Sequence, residues 1–263
     1  MIEVAQSTSE LLTGEELTVR IGTVTVADKF NLCIRAGECW CLLGRNGAGK
    51  TTLLKTLAGL HRPDSGTLRL RGQPLQGLAR REVAREIGML FQEHQDAFPA
   101  TVLETVLTGR HPHLHAWQWE SAIDLDIARR ALDQVGLGAL ESRTLNTLSG
   151  GERRRVGIAT LLAQAPSVYL LDEPSNHLDL HHQIGVLDGL RRDIADAGGA
   201  LVMSMHDVNL AARLADHCLA LLPHGRIEQG PARQMLRTPL LEALYDQAFE
   251  QLSGSRGPVW IPR

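Results

Sequence analysis

The segment Gly44–Thr51 reads GRNGAGKT and directly follows the apolar run Cys39–Leu43. The apolar run predicts a buried strand, and the pattern after the loop predicts a helix from about Thr51 to Gly59. A glycine-rich loop that ends in Lys-Thr between a strand and a helix is the P-loop pattern. Its backbone N–H groups and the following helix N-terminus bind phosphate. The segment therefore predicts an α/β domain that binds a nucleoside triphosphate.

The residues of this loop have separate predicted roles. Lys50 would place a positive charge on the β- and γ-phosphates, the Thr51 hydroxyl would ligate Mg²⁺, and Thr52 would contact the α-phosphate. A chance glycine-rich loop is disfavoured, because the strand and the helix lie where the pattern requires them. The other predicted contacts come from the loop itself, at Gly44, Asn46, Gly47 and Gly49.

Two adjacent carboxylates follow a second apolar run. Val168–Leu171 predicts a buried strand, and Asp172 and Glu173 come directly after it. In P-loop enzymes the first such aspartate holds Mg²⁺. The neighbouring Glu173 can polarise an attacking water as a general base. An apolar run that ends in acids indicates little alone, but together with a P-loop it predicts nucleotide hydrolysis.

A second helix start with exposed backbone lies far from the P-loop in sequence. Leu148–Glu152 reads LSGGE, and Ser149 and Glu152 have the spacing of a capping box. Gly150 and Gly151 would leave backbone N–H groups open at the helix N-terminus. The segment therefore predicts a second anion site.

These three elements together resemble the ATP-binding subunits of ABC transporters, in which LSGGE corresponds to the signature sequence. Further motifs follow in the expected order. Gln92 comes after the predicted strand Ile87–Phe91, like the Q-loop glutamine. Ser175–Asp179 resembles the D-loop, and His206 ends the predicted strand Leu201–Met205, like the switch histidine. The resemblance covers nearly the whole chain.

The resemblance implies a head-to-tail homodimer with ATP and Mg²⁺ as cofactors. Each ATP would lie between Lys50 of one copy and the segment Ser149–Gly151 of the other. Gln92 would join the Mg²⁺ shell and sense the membrane subunit, and His206 would contact the γ-phosphate. Asp179 would link the two ATP sites.

The alternation of apolar runs, turns and helical patterns predicts an α/β fold, with first strands at Leu17–Val19 and Thr23–Val26. The resemblance makes this a P-loop NTPase (RecA-like) core with a mostly parallel sheet, an N-terminal antiparallel β part and an inserted helical subdomain. We expect one ABC ATPase domain over residues 1–263. Its expected parts are the nucleotide-binding core at 15–95 and 155–235, the helical insert with the signature at 96–154, and a C-terminal tail at 236–263.

Three segments resemble importers of the ferric-siderophore, heme and cobalamin group, namely His177–Gln183, Thr108–His113 and Met205–Ala212. Such a subunit would bind integral membrane permeases at the cytoplasmic face of the cell (inner) membrane. It would act indirectly with a periplasmic or extracellular substrate-binding protein.

Two alternatives stay open at this point. The first is the ATPase of an ABC exporter, which the segment His177–Gln183 disfavours only moderately. The second is a soluble ABC ATPase of translation or DNA repair. Proteins of that kind usually have two cassettes or a long coiled-coil insert, and this sequence shows one cassette and no heptad array.

Composition argues against several other classes. The net charge of −3 does not indicate binding to nucleic acid or to an anionic membrane surface. The sequence has no run of about 18 apolar residues that could span a membrane, and Met1–Glu10 lacks the pattern of a signal peptide. The cysteines show neither zinc-site nor disulfide spacing and are predicted to be small core residues, with Cys39 and Cys41 on a buried strand.

Ile21 departs from the family pattern, which usually has an aromatic residue there to stack on adenine. Ile21 or the aliphatic part of Arg20 would pack on the base instead. This leaves base selectivity open without affecting the predicted phosphate chemistry.

Two clusters of basic residues have non-catalytic interpretations. His111, His113 and His115 are interpreted as part of a loop that contacts the membrane subunit or solvent rather than as a metal site. Arg153–Arg155 is interpreted as a solvated helix face rather than as a nucleic-acid patch.

Overall fold

The computed structural model describes residues 9–92, 99–115, 117–176, 180–254 and 257–263, with only the backbone at 180–183. The strands in these ranges are β1 (Glu10–Ile21), β2 (Val24–Arg35), β3 (Cys39–Leu43), β4 (Ser65–Leu70), β5 (Gln73–Pro74), β6 (Ile87–Leu90), β7 (Val168–Leu171), β8 (Ala200–Met205), β9 (His217–Leu221), β10 (Ile227–Pro231), β11 (Phe249–Gly254) and β12 (Gly257–Pro262). The helices are α1 (Lys50–Leu57), α2 (Arg80–Glu86), α3 (Val102–Leu107), α4 (Ala122–Gln134), α5 (Gly150–Gln164), α6 (Leu180–Asp196), α7 (Val208–Leu214), α8 (Ala232–Met235) and α9 (Thr238–Tyr245).

A six-stranded, mostly parallel sheet lies at the centre of the fold. Its strand order is β10-β9-β3-β8-β7-β6, and all neighbours pair in parallel except β10 with β9. Every residue of β3 is buried. Cys39 and Cys41 face the core on one side of the sheet, whereas Trp40 and Leu42 face the core on the other. The predicted buried strand with alternating cysteines is confirmed.

A second, antiparallel sheet has the order β2-β1-β4-β5 and shares a core with α1. The predicted strands Leu17–Val19 and Thr23–Val26 are too short, since β1 and β2 each have 12 residues. The pairing of β1 with β2 shifts in register between Gly14 and Leu17, and Glu16 has a φ of 49°. Such a bulge interrupts the alternation from which a strand is predicted.

The helices α3, α4 and α5 pack on one another between β6 and β7 in the chain. Each begins with a capping box, at Thr101, Ser121 and Ser149 respectively. Arg110 forms an ion pair of 2.9 Å with the buried carboxylate of Asp124. Hydrogen bonds from Ser121, and then from Arg110, lower the pKa of Asp124 to about 2. Directional contacts therefore supplement apolar packing in this helical unit.

The last residues of the chain pack on the core. They form α9 and the antiparallel hairpin of β11 and β12. The Asn209 side chain on α7 donates to the Trp260 carbonyl at 3.0 Å and accepts from the Trp260 N–H at 2.9 Å. The side chains of this region that enter the main core include Leu240, Leu241, Leu244 and Trp260.

Within the described ranges, no helix combines the length and the apolar character that crossing a membrane requires.

The close approach of Gly109 to α5 is a sensitive point of the fold. A Cβ at Gly109 would lie 2.2 Å from the carbonyl oxygen of Thr160. We therefore expect Gly109→Ala to lower the free energy of unfolding by about 1–3 kcal/mol, as overpacking usually does. Urea unfolding measures the change.

Gly185→Ala is the matched control for this substitution. Gly185 lies within α6, and a Cβ there would meet no described atom within 4 Å. Alanine should therefore raise stability by about 0.5–1 kcal/mol through the backbone entropy of the unfolded chain. Equal stability of the two variants would contradict the packing argument.

Candidate active site

The P-loop joins the end of β3 to the start of α1. Gly47 and Gly49 have φ values of 77° and 95°, a backbone region that favours glycine. A Cβ on Gly49 would lie 2.5 Å from Cγ1 of Val26, so the loop packs closely on β2. The loop therefore presents backbone groups at the N-terminus of α1, which is the arrangement that binds phosphate.

Lys50 places its cation inside this loop. The side chain is buried, and Nζ donates to the carbonyl oxygens of Gly44 at 2.9 Å and Arg45 at 3.2 Å. Burial lowers the pKa of the Lys50 ammonium, while the nearby carboxylates of Glu173 and Asp172 act in the opposite direction. The loop thus holds a cation beside the acidic pair.

Two of the predicted Mg²⁺ ligands are in direct contact. Thr51 Oγ1 donates to Asp172 Oδ2 at 2.6 Å, which connects α1 to the end of β7. Asp172 is completely buried. Hydroxyl and carboxylate oxygens are the hard donors that Mg²⁺ prefers. The two side chains therefore fit the metal that the P-loop pattern implies.

The Glu173 carboxylate contacts two other segments of the chain, at Gln92 and His206, and Asn176 of its own loop. Gln92 Nε2 donates to Oε2 at 2.9 Å, and Asn176 Nδ2 donates to the same oxygen at 2.6 Å. His206 Nε2 contacts Oε1. Glu173 is buried and has a φ of 49°, which is costly for a residue with a side chain and is typical of functional sites. The structure thus brings Gln92 and His206 to the acidic pair.

Ser204 on β8 forms hydrogen bonds with both acidic residues. This role was not predicted from the sequence. The buried Ser204 hydroxyl donates to Asp172 Oδ1 at 2.6 Å and accepts from the Glu173 N–H at 2.8 Å. The available signal was one polar residue in the apolar run Ala200–Met205. A buried hydroxyl in a central strand needs partners, and the adjacent strand supplies them.

The signature segment forms the N-terminus of α5. Ser149 is its N-cap, with the Ser149 N–H donating to Glu152 Oε2 at 2.8 Å and the Glu152 N–H donating to Ser149 Oγ at 3.2 Å. Ser149 and Gly150 are exposed. Among the described residues, no hydrogen bond connects Ser149, Gly150 or Gly151 with the P-loop. Within the described part of one chain, the two predicted anion sites are therefore not joined by hydrogen bonds.

The remaining predicted nucleotide contacts differ in their exposure and in whether the structure describes them. Asn46 is exposed in the P-loop, and Thr52 is half-buried in the first turn of α1. Asp179 lies outside the described residues, together with 177 and 178. The side chains of 180–183 are also outside the description.

The predicted adenine contact lies at the end of the β1–β2 hairpin. Ile21 pairs with Val24, and both side chains are largely exposed. Val26, two residues further along β2, packs on the P-loop glycine Gly49. An exposed aliphatic pair thus lies on the strand that supports the P-loop, and its contact with adenine stays a prediction.

The histidine segment contacts protein groups. His113 Nε2 lies 2.8 Å from the carbonyl oxygen of Gln164, and His111 Nε2 lies 3.8 Å from Glu120 Oε1. In the part of the chain that the structure describes, no group of three or more histidine, cysteine, aspartate or glutamate side chains is placed to hold a metal ion.

The interpretation of Arg153–Arg155 as a solvated face is wrong for Arg154. Its side chain is buried, and its guanidinium donates to the backbone carbonyls of Phe91 and Asp172. The charge pattern alone gave no indication of this, because a helix places three consecutive residues on different faces and the sequence does not say which face is inside.

The comparison with known proteins agrees with this geometry. The family model described as ABC transporter matches residues 27–176. The chain belongs to the ABC transporter family.

The matched relatives are ATP-binding proteins of transport and import systems, and the matches cover most of each protein. The chain is 38% identical over 234 residues to the ferric enterobactin transport ATP-binding protein FepC of Escherichia coli (strain K12), with 89% of this chain and 86% of FepC covered. It is 41% identical over 243 residues to the hemin import ATP-binding protein HmuV of Myxococcus xanthus (strain DK1622), with 89% of this chain and 90% of that protein covered. The predicted family, its ATPase class and the resemblance to the siderophore and heme group are confirmed.

A solved structure supports the fold in the same way. A chain of the structure described as an inward-facing conformation of a putative metal-chelate type ABC transporter aligns with a TM-score of 0.84 and 28% identity. The alignment covers 97% of this chain and 98% of that chain. The predicted P-loop NTPase fold with a mostly parallel core sheet and an antiparallel N-terminal part is confirmed.

Ser204 offers a test of how the carboxylate pair of this ABC ATPase is held. Ser204→Ala removes the hydroxyl and leaves the buried Glu173 N–H without its acceptor. We expect a loss of about 1–3 kcal/mol in the free energy of unfolding, together with slower ATP hydrolysis, because Asp172 and Glu173 lose a shared support. Chemical unfolding and steady-state ATPase assays measure the two effects.

Ser204→Thr is the conservative control, because it keeps the hydroxyl. It should retain more of the ATPase rate than Ser204→Ala does. Wild-type turnover in Ser204→Ala would show that the hydroxyl does not position the carboxylates.

Proposed function

We propose that this chain hydrolyses ATP to power the import of a metal chelate, a ferric siderophore, heme or cobalamin, through an ABC transporter. The observation that carries the hydrolytic role is the buried Glu173 carboxylate, held by Gln92, Asn176 and His206 beside the Thr51–Asp172 contact. The cargo class is supported by the names of the relatives and of the aligned structure.

The P-loop would hold the triphosphate. Backbone N–H groups of the segment Gly44–Gly49 and the start of α1 would surround the β- and γ-phosphates, with Lys50 as their cation and Thr52 beside the α-phosphate. Thr51, Asp172 and Gln92 would ligate Mg²⁺, which neutralises charge on the phosphates. The Gln92 amide donates through Nε2 to Glu173, which leaves Oε1 as its ligating atom.

Glu173 would act as the general base. Both carboxylate oxygens accept hydrogen bonds from protein groups. If an attacking water replaced one of these donors, Glu173 could take the proton of that water. His206, which contacts Glu173 Oε1, would orient the carboxylate and reach the γ-phosphate. Lys50 would stabilise the charge that develops on the phosphate oxygens.

A second copy of the chain would complete the site. The exposed N-terminus of α5, with Ser149, Gly150 and Gly151, has backbone N–H groups suited to an anion, and it forms no described hydrogen bond with its own P-loop. A head-to-tail homodimer would place this N-terminus over the γ-phosphate held by Lys50 of the partner copy. Asp179 would link the two sites.

The transport step requires membrane partners. We propose that integral permease subunits bind the helical insert predicted at residues 96–154 and hold the chain at the cytoplasmic face of the membrane. A periplasmic or extracellular binding protein would deliver the cargo, and nucleic acid has no part in this function. The exposed tryptophans Trp117 and Trp119, beside the half-exposed histidine segment, favour this surface for docking.

Glu173→Gln tests the hydrolytic role and the dimer together. The amide keeps the size of the side chain but cannot take a proton, so turnover should fall by roughly 10²–10⁴-fold. ATP should still bind through Lys50 and the loop, and the variant should accumulate as an ATP-bound dimer. Size-exclusion chromatography with ATP and Mg²⁺ detects that dimer.

The second substitution Ser149→Arg distinguishes the head-to-tail arrangement from other dimers. Added to Glu173→Gln, it should abolish the dimer, because the long side chain would block the phosphate site of the partner. Lys50→Ala is the control without useful ATP binding and should stay monomeric. Full hydrolysis by Glu173→Gln would remove the base assignment, and a dimer that survives Ser149→Arg would exclude the proposed arrangement.

The docking surface is tested by Trp117→Ala with Trp119→Ala. The double variant should keep ATP binding and basal hydrolysis, but it should copurify poorly with the permease and lose permease-dependent turnover. Leu252→Ala with Val259→Ala on the C-terminal hairpin is the matched control, since it also removes two exposed apolar side chains. Unchanged assembly of the tryptophan variant would place docking elsewhere.

Reconstitution with the copurified permease would identify the cargo. Uptake assays with a ferric siderophore, with heme and with cobalamin measure the three candidates separately. Uptake of none of them, with transport of a solute outward, would favour an exporter.

A further inference from the structure

Arg154 is a buried arginine in the signature helix. It lies five residues after the N-cap Ser149, on the second turn of α5, and its side chain is only 5% exposed. The guanidinium donates through Nη1 to the carbonyl oxygen of Phe91 and, at 3.4 Å, to that of Gln92. Nη2 donates to the carbonyl oxygen of Asp172.

These carbonyls belong to the two strand ends that carry the hydrolytic residues. Phe91 and Gln92 follow β6, and Asp172 follows β7, which pairs with β6 in parallel. The side chains of Gln92 and Glu173 are joined by their own hydrogen bond of 2.9 Å. Besides the backbone pairing, in which the Asp172 N–H donates to the Leu90 carbonyl at 2.9 Å, the two strand ends are connected by these side chains and by the Arg154 guanidinium.

The charge of Arg154 persists in this environment. Burial lowers its pKa to about 10, and the nearby carboxylates of Asp172 and Glu173 oppose the shift. A buried cation is costly, and its direct hydrogen-bond partners here are neutral carbonyls. An apolar side chain of similar length could fill the same space without that cost. A role in the site, rather than packing alone, accounts for a cation at this position.

We propose that Arg154 is the positioning residue that fixes the strand ends carrying Gln92 and Asp172–Glu173 to the signature helix of the same subunit. Its described contacts are with backbone carbonyls, so it acts through the residues whose backbone it holds. The consequence is mechanical: a displacement at Gln92 or at the acidic pair moves α5, and with it Ser149. The proposal rests on the proposed ATPase function.

Kinetics separate this role from nucleotide binding. Arg154→Gln keeps a polar side chain but loses the charge and the fork. We expect kcat to fall by roughly 10- to 100-fold, the size of effect that a small misplacement of reacting groups produces. KM for ATP should change little, because Arg154 has no described contact with the P-loop. Arg154→Lys keeps the charge with fewer donors and should restore part of kcat.

Arg155→Gln is the matched control on the same helix. Arg155 also donates to a backbone carbonyl, that of Val135 at 3.0 Å, but at the end of α4 rather than at the hydrolytic residues. Its removal should leave kcat within about twofold of the wild type, in line with a substitution away from the reacting groups. Equal losses of kcat in both variants would indicate a general structural role and would overturn the proposal.

Amide hydrogen exchange provides a readout that does not depend on catalysis. Arg154→Gln should speed exchange around residues 90–92 and 172–173, whereas Arg155→Gln should speed it around 134–136. If the wild type does not hydrolyse ATP, the proposed function fails while the exchange result still decides the positioning role. Wild-type kcat with wild-type exchange in Arg154→Gln would overturn the inference. If that variant does not fold, Arg154→Lys is judged by the same two measurements.

Discussion

The parallel register of β3, β8 and β7 is the constraint on which the candidate site depends. Leu43 pairs with Met205, and Leu171 pairs with Met203, so the three strands end at nearly the same level of the sheet. The P-loop, the acidic pair and His206 are the residues that follow these ends. A slip of one residue in any pairing would move core side chains to the wrong face. The burial of the strands therefore also fixes the positions of the reactive groups.

Four buried charges at this edge depend on one another. Lys50, Arg154, Asp172 and Glu173 are all buried, and they carry two positive and two negative charges. A buried charge without partners would cost several kcal/mol. The carboxylates oppose the effect of burial on both cations. Removal of one member therefore affects the other three, and the group is better understood as one unit than as separate contacts.

The sequence predicted those parts of the structure that local patterns define. The runs Cys39–Leu43 and Val168–Leu171 are continuous apolar segments bounded by a glycine loop or by acids, and both form strands with those bounds. The capping box at Ser149 was also predicted correctly, because it depends on two residues three apart. Motif order predicted Gln92 for the Mg²⁺ shell and His206 for the γ-phosphate; the fold brings both side chains to Glu173, and their roles stay predictions.

Parts of the structure that depend on long-range contacts could not be predicted in this way. The bulge in β1 and the hairpin of β11 and β12 are defined by pairing and packing, and their local patterns are weak. Ser204 and Arg154 are separated from Asp172 by 32 and 18 residues, and only the folded sheet shows that they share partners with it. The pattern of a polar residue in an apolar strand, or of an arginine in a run of arginines, does not predict which residues the side chain contacts.

The helix α5 combines two properties that are usually separate. Its N-terminus at Ser149 is exposed, with backbone N–H groups suited to an anion, and one turn further its Arg154 side chain is fixed to the backbone behind Gln92 and Asp172. A helix is stiff over this length, since its hydrogen bonds connect every turn. The exposed end therefore cannot tilt without straining or breaking the buried hydrogen bonds. In the proposed dimer, a single rigid element would therefore couple the binding of an anion at the surface of one copy to the alignment of the carboxylates inside that copy.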